Sequence, residues 1–234
     1  MLEKLFPVVI LAGGLATRLH PMTVTLPKSL IPINQEPFIA HQLRLLRKNH
    51  IKNVVICTGY LSEQIIDFVG DGKAFDLDVT YVNDGPTLLG TAGAIKQALP
   101  HLSDAFFVLY GDSYLPCDYL TLQNHFDHSD KLALMSIFQN QGKWDTSNVL
   151  YHQGKILAYD KVNRNPNMHH IDYGLGIFKK AAFDHIPKNA CYDLADLYKK
   201  LITIDELATY EVTERFYETG SFAGIKELER YLST

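Results

Sequence analysis

VVILAGGLATRLHPMTVTLPKSLIP, residues 8–32, opens with four apolar residues and breaks at Ala12, Gly13 and Gly14. Val8 to Leu11 read as a strand buried on both faces. Two glycines directly after it let the backbone turn sharply and approach a ligand. Their bare N–H groups can face phosphate oxygens. Arg18 and Lys28 follow in one connection stiffened by Pro21, Pro27 and Pro32. A guanidinium and an ammonium beside a phosphate-sized nest suit a triphosphate. Neither GxGxxG nor GxxxxGK[ST] is present, which excludes the dinucleotide fingerprint and the Walker loop.

Outward from this stretch, strand and helix patterns alternate. Residues 37–49 place Phe38, Ile39, Leu43, Leu45 and Leu46 on one helical stripe, with Pro37 in the first turn. NVVICT (53–58) reads as a second buried strand ended by Gly59. Ser62 is expected to cap a helix through Val69, with Gly70 as its stop. Residues 77–82 alternate as a third strand. This order implies a parallel sheet with right-handed crossovers. NDGPTLLGTAGA (83–94) then runs into a helix through Leu99, where loops at strand C-termini form a ligand crevice. FFVLY (106–110) reads as a central strand, so the Asp112 carboxylate at its tip faces that crevice.

Further on, a helix is predicted over 116–126 and a strand over 132–138. A hairpin follows, residues 148–151 and 155–159 around Gln153-Gly154. IDYGLGIF (171–178) reads as a strand whose glycines admit close ligand approach. Asp193 is expected to cap a helix over 194–201, residues 207–212 to form a late strand, and Ser221 to cap an amphipathic helix over 222–232. His169 and His170, adjacent on an extended chain, point opposite ways and are not expected to share a metal ion.

The constellation L-A-G-G-x-x-T-R-L-x-P followed by P-K-S-L-x-P resembles the signature of the sugar-1-phosphate nucleotidyltransferases. The resemblance extends over nearly the whole chain and is firmest up to Asp112. It implies an α/β fold: a Rossmann-like three-layer αβα arrangement with a mixed, mostly parallel sheet and a small β-rich sugar-binding lobe. It implies a single domain, 1–130 mainly nucleotide-binding and 131–234 mainly the sugar-phosphate lobe and C-terminal helix. Arg18 and Lys28 would be catalytic. Leu11, Ala12, Gly13, Gly14 and Thr17 would wrap the nucleotide, with Gly90, Asp84 and Thr91 near the base. Asp112 and Glu218 would hold Mg²⁺, a hard cation suited to oxygen ligands. Lys161, after the hairpin, would hold the sugar phosphate, with Asp172 or Gly174 on the sugar-contacting strand. The chain departs from the family at Ala16 (usually glycine), at Asp160 (usually glutamate), and at Glu218 and Ser221 in place of the aspartate and threonine of D-x-G-T.

The implied reaction joins a nucleoside triphosphate to a sugar 1-phosphate and releases pyrophosphate. No general base is expected, because a phosphate monoester has its second pKa near ~6 and is already a dianion at neutral pH. The look of P-K followed by P-I-N, G-Y-x-x-E-Q-I, G-D-G and L-G-T-x-G-A-I is closest to heptose- and mannose-1-phosphate guanylyltransferases, which favours GTP. Uridylyl and cytidylyl transfer stay open, including a choline-phosphate cytidylyltransferase-like acceptor, as does a catalytically silent nucleotide-sugar-binding regulator. A metal-dependent glycosyltransferase would need D-x-D after the central strand, and Gly111-Asp112-Ser113 supplies one carboxylate.

A net charge of −4 argues against a broad nucleic-acid binder. No apolar run approaches the ~20 residues of a membrane span. The N-terminal apolar run is short, interrupted by Pro7 and preceded by Glu3, so it is expected to be the first strand rather than a signal peptide. Cys57, Cys117 and Cys191 show no paired spacing, which fits a reducing, cytoplasmic setting. Homo-oligomerisation is left open.

Overall fold

In the computed structural model, which describes residues 4–14, 19–85 and 87–233, Val8–Leu11 forms β1. The ribbon β2 (Pro32–Ile33) and β3 (Glu36–Pro37) follows, then α1 (Phe38–Lys48), β4 (Asn53–Thr58), α2 (Ser62–Val69) and β5 (Asp78–Asn83). Next come α3 (Gly90–Ala98), β6 (Ala105–Tyr110), β7 (Ser113–Tyr114), α4 (Tyr119–Asp127) and β8 (Ala133–Phe138). The hairpin β9 (Val149–His152) and β10 (Lys155–Tyr159) precedes β11 (Ile171–Lys179), α5 (Leu194–Thr203), β12 (Leu207–Val212), β13 (Tyr217–Glu218) and α6 (Phe222–Leu232).

Seven strands form one sheet in the order β12-β8-β11-β6-β1-β4-β5. Neighbours pair in parallel except β11, which runs against both β6 and β8. The sheet is therefore mixed and mostly parallel. Successive side chains on a strand alternate faces, so Val8, Ile10, Val54 and Ile56 enter one core and Val9, Val55 and Cys57 the other. The first core is covered by Ile39, Leu43 and Leu46 of α1 and by Tyr119, Leu122 and Phe126 of α4. The second is covered by Ala92, Ile95 and Ala98 of α3 and by Leu194, Leu197 and Tyr198 of α5. Each buried Leu or Ile here stabilises by roughly 1.5–3 kcal/mol. A smaller cluster of Leu19, Ile31, Ile33, Phe38, Ile225 and Leu228 docks α6.

The structure corrects several local expectations. Ser62 is the first residue of α2, not its cap; Leu61 takes the cap position with φ 56° and makes no side-chain cap bond. The helix expected over 116–126 begins at Tyr119, because the Asp118 carboxylate accepts from the Leu120 and Thr121 amides. Pro37 sits one residue before α1 rather than inside it. The third strand starts at Asp78 and continues to Asn83. His170 is buried and faces Glu211 Oε1 at 3.2 Å, while His169 is exposed. No helix among the described residues is long and apolar enough to cross a membrane.

Candidate active site

The C-terminal ends of β1, β4, β5 and β6 lie along one edge of the sheet, because these strands run parallel. They open onto a cleft of about 410 Å³. Leu11, Ala12, Gly13 and Gly14 form one wall. Asp84, Gly90 and Thr91 stand on the β5 side, and Lys28 and Asp112 also line the cleft. A Cβ built on Gly14 meets no atom of the described residues within 4 Å. Thr17 and Arg18 lie outside the described residues.

The turn that carries Asp112 is fixed from several elements. Gly111 N donates to Leu11 O at 3.0 Å, and Thr219 N donates to Asp112 O at 2.8 Å. Gln42, 1% exposed on the apolar stripe of α1, donates through Nε2 to Tyr110 O at 3.0 Å and Ser113 O at 2.7 Å. The Asp112 carboxylate pairs with the Lys28 ammonium. Lys28 opens a short 3₁₀ turn behind Pro27, whose extended ψ of 145° directs the chain into it. Beside it the buried Ser29 Oγ has no hydrogen-bond partner among the described residues.

On the β5 side, burial holds the Asp84 carboxyl above the ordinary carboxylate range, and a hydrogen bond from the Leu89 backbone partly reverses this. Burial, with Asp84 adding to it, pushes the neighbouring Cys57 thiol up to about 12, so it stays protonated. Gly90 has φ +71°, and a Cβ there would lie 2.7 Å from Tyr192 O. Its glycine is thus required by backbone packing as well as by its place in the cleft wall. Thr91 Oγ1 accepts from Leu194 N at 2.7 Å and faces Asp193 Oδ1 at 3.3 Å, tying α3 to the start of α5.

The acceptor-side candidates lie beyond Tyr110, which lines the cleft at the end of β6. Lys161 Nζ stands over the Tyr110 ring at 5.1 Å and the Tyr159 ring at 5.7 Å. Gly174 has φ +99°, where a side chain would be strained, and sits against Tyr110 and Ser113. A register shift between Asp172 and Gly176 bends β11 at this point. Asp160 Oδ1 accepts from Val162 N and Asn163 N, each at 2.8 Å, which lowers its carboxyl to about 2. The aspartate thereby builds the turn that presents Lys161. Glu218 pairs in register with Ser113 across β7 and β13, which brings its backbone next to the turn that carries Asp112.

Among the described residues no group of three or more His, Cys, Asp or Glu could hold a metal ion. Asp112, on the turn after β6, and Glu218, on β13, are two hard oxygen donors, and Mg²⁺ is commonly held by one or two carboxylates plus substrate phosphates and waters. The chemistry of the pair fits such an ion completed by substrate phosphates and waters. Gln42, Tyr110 and Tyr159 were not singled out from the sequence. A glutamine inside the buried stripe of α1 was the available signal for the first; the tyrosines gave none that separates them from core residues.

Residues 7–147, more than half of the chain, match the family model described as nucleotidyl transferase. A UTP–glucose-1-phosphate uridylyltransferase from a Synechocystis species is 30% identical over 213 residues, 83% of this chain and 54% of that relative. A D-glycero-alpha-D-manno-heptose 1-phosphate guanylyltransferase from Campylobacter jejuni is 28% identical over 198 residues, 82% of this chain and 86% of that relative. The chain spans about half the length of the first. Among solved structures, HddC from Yersinia pseudotuberculosis superposes with a TM-score of 0.81 at 21% identity, covering 97% of this chain and 99% of that one. At that identity the likeness speaks to the fold.

Proposed function

The chain belongs to the nucleotidyl transferase family, and from that premise we propose that it makes a nucleotide sugar and pyrophosphate from a nucleoside triphosphate and a sugar 1-phosphate. The observation that carries this reading is the convergence of the Gly-rich loop, Lys28 and Asp112 on one cleft, with Lys161 over Tyr110 at its far side. Residues 1–130 would chiefly bind the nucleotide and 131–234 the acceptor.

In this reading an oxygen of the sugar phosphate attacks the α-phosphorus. The bond from that phosphorus to the β-phosphate's bridging oxygen breaks, and pyrophosphate leaves. The barrier is repulsion between two anions, so catalysis is in-line positioning plus charge neutralisation. Lys28 would stand by the α-phosphate and Lys161 would hold the incoming phosphate. Arg18 would meet the leaving pyrophosphate. Mg²⁺ held by Asp112 and Glu218 would supply further positive charge at the phosphates.

GTP is the proposed nucleotide. Guanine presents N1–H and N2–H₂ as adjacent donors on one edge, which suit an acceptor-only carboxylate such as Asp84. The guanylyltransferase that matches across 86% of its own length supports the same choice, with a heptose or mannose 1-phosphate as acceptor. The 30% identity to a uridylyltransferase favours UTP as the second reading. Pyrophosphate release measured with each of the four NTPs, Mg²⁺ and a panel of sugar 1-phosphates tests both. Highest kcat/KM with GTP supports the first, and with UTP the second. Absence of turnover with every pair would overturn the enzymatic reading in favour of a silent binding protein.

A further inference from the structure

Lys161 and Asp172 are two of the side chains that the resemblance places at the acceptor, and one buried residue meets both. Tyr159, at the end of β10, is 3% exposed. Its hydroxyl donates to Asp172 Oδ2 at 2.9 Å. Its ring lies 5.7 Å from Lys161 Nζ. The other Asp172 oxygen accepts from Gly174 N at 3.0 Å, and Asp172 N donates to Asn148 Oδ1 at 2.9 Å. Both oxygens are thus anchored to the protein while each keeps a lone pair for a further donor.

We infer that Tyr159 is a positioning residue of the acceptor site, fixing the Asp172 carboxylate with its hydroxyl and the Lys161 ammonium with its ring. The inference rests on the functional reading above. A ring face attracts an ammonium without taking its N–H donors. The contact therefore leaves the Lys161 N–H donors for phosphate oxygens. Asp160, the neighbouring carboxylate, is engaged by the Val162 and Asn163 amides and by Lys199 Nζ at 3.3 Å. Held this way, Asp172 can accept from sugar hydroxyls while Lys161 meets the phosphate of the same molecule. Burial, reinforced by the Asp172 charge, pushes the Tyr159 phenol well above its ordinary range, so it remains a donor at working pH.

A packing role can be separated from this one. The Tyr159 ring meets Tyr198 edge-on at 5.8 Å, and Tyr159→Phe retains that contact and the ring under Lys161. The experiment is a double-mutant cycle of Tyr159→Phe and Asp172→Ala, read as KM for each substrate and kcat by pyrophosphate release. The substrates are the NTP and sugar 1-phosphate that the panel identifies as best. Tyr159→Phe should raise the acceptor KM about tenfold, the loss of one charge-assisted hydrogen bond, and leave the NTP KM unchanged. In the Asp172→Ala background it should add nothing, because the hydroxyl acts through the carboxylate. An unchanged acceptor KM, an equal rise in both KM values, or a full additional effect without Asp172 overturns the inference while the functional reading stands. A wild-type protein that releases no pyrophosphate with any pair overturns both.

Discussion

Lys28→Met removes one ammonium from the cleft while keeping an unbranched apolar stem of similar length. Lys28 is 16% exposed at the side chain and pairs with Asp112, itself 29% exposed. Because Asp112 keeps contact with solvent, loss of the pair should cost only about 1 kcal/mol of stability. For a chain of 234 residues that is a fall in Tm of about 2–4 °C. The catalytic effect should be much larger. A preorganised charge aimed at developing phosphate charge in a water-poor site is worth about 3–4 kcal/mol, or about 10²–10³ in rate. Pyrophosphate release at saturating substrates measures kcat, and a circular-dichroism melt of the same preparation measures Tm. A folded variant with a modest Tm loss and kcat down by that factor is expected. A variant with near-normal kcat would refute the placement of Lys28 beside the reacting phosphates.

Lys161→Ala should raise the acceptor KM and leave the NTP KM nearly intact, since Lys161 stands over the Tyr110 ring and is not part of the wall built by the Gly-rich loop; initial-rate kinetics with each substrate varied in turn reads the split. Glu218→Gln should raise the Mg²⁺ concentration for half-maximal rate several-fold, and Glu218→Asp should be partly active at best. A Mg²⁺ titration at saturating substrates checks both, and an unchanged curve for Glu218→Gln would remove Glu218 from the site. Asp84→Asn should raise stability at neutral pH while weakening GTP preference. Burial raises the folded-state pKa of Asp84, so ionisation is disfavoured in the fold. The resulting destabilisation is absent below the unfolded value of about 3.9 and grows as pH rises through the folded one. The Tm gain of Asp84→Asn should therefore be present at pH 7 and vanish towards pH 3, and thermal melts across that range check it.

The cleft wall proposed for the nucleotide was legible because its determinants are local. Val8 to Leu11 form a short apolar run, and the residues after it on the chain become the cleft wall. Asp112 follows its strand directly, so a C-terminal strand tip read from FFVLY already places the carboxylate. The part proposed for the acceptor depends on pairings between distant segments. Asp172 is aimed by a register shift in β11, by Tyr159 from a different strand and by Asn148, none of which has a sequence period. Gln42 reaches Tyr110 and Ser113 only because α1 packs beneath the β6 tip. Gly90 shows the reverse: its motif suggested ligand approach, and the structure adds the Tyr192 backbone as a reason for glycine. Ser62 failed as a cap because Leu61, in the left-handed conformation, takes the position before the helix start.

The most direct test of the central claim follows the phosphates. The protein is incubated with Mg²⁺, sugar 1-phosphate and GTP labelled separately at the α- and γ-phosphates, and products are resolved by chromatography. The account predicts that the α-label enters a nucleotide sugar and the γ-label enters pyrophosphate, in a one-to-one ratio. Orthophosphate release, transfer of a glycosyl group to another acceptor, or retention of both labels in unreacted GTP, with the other three NTPs equally inert, would contradict it.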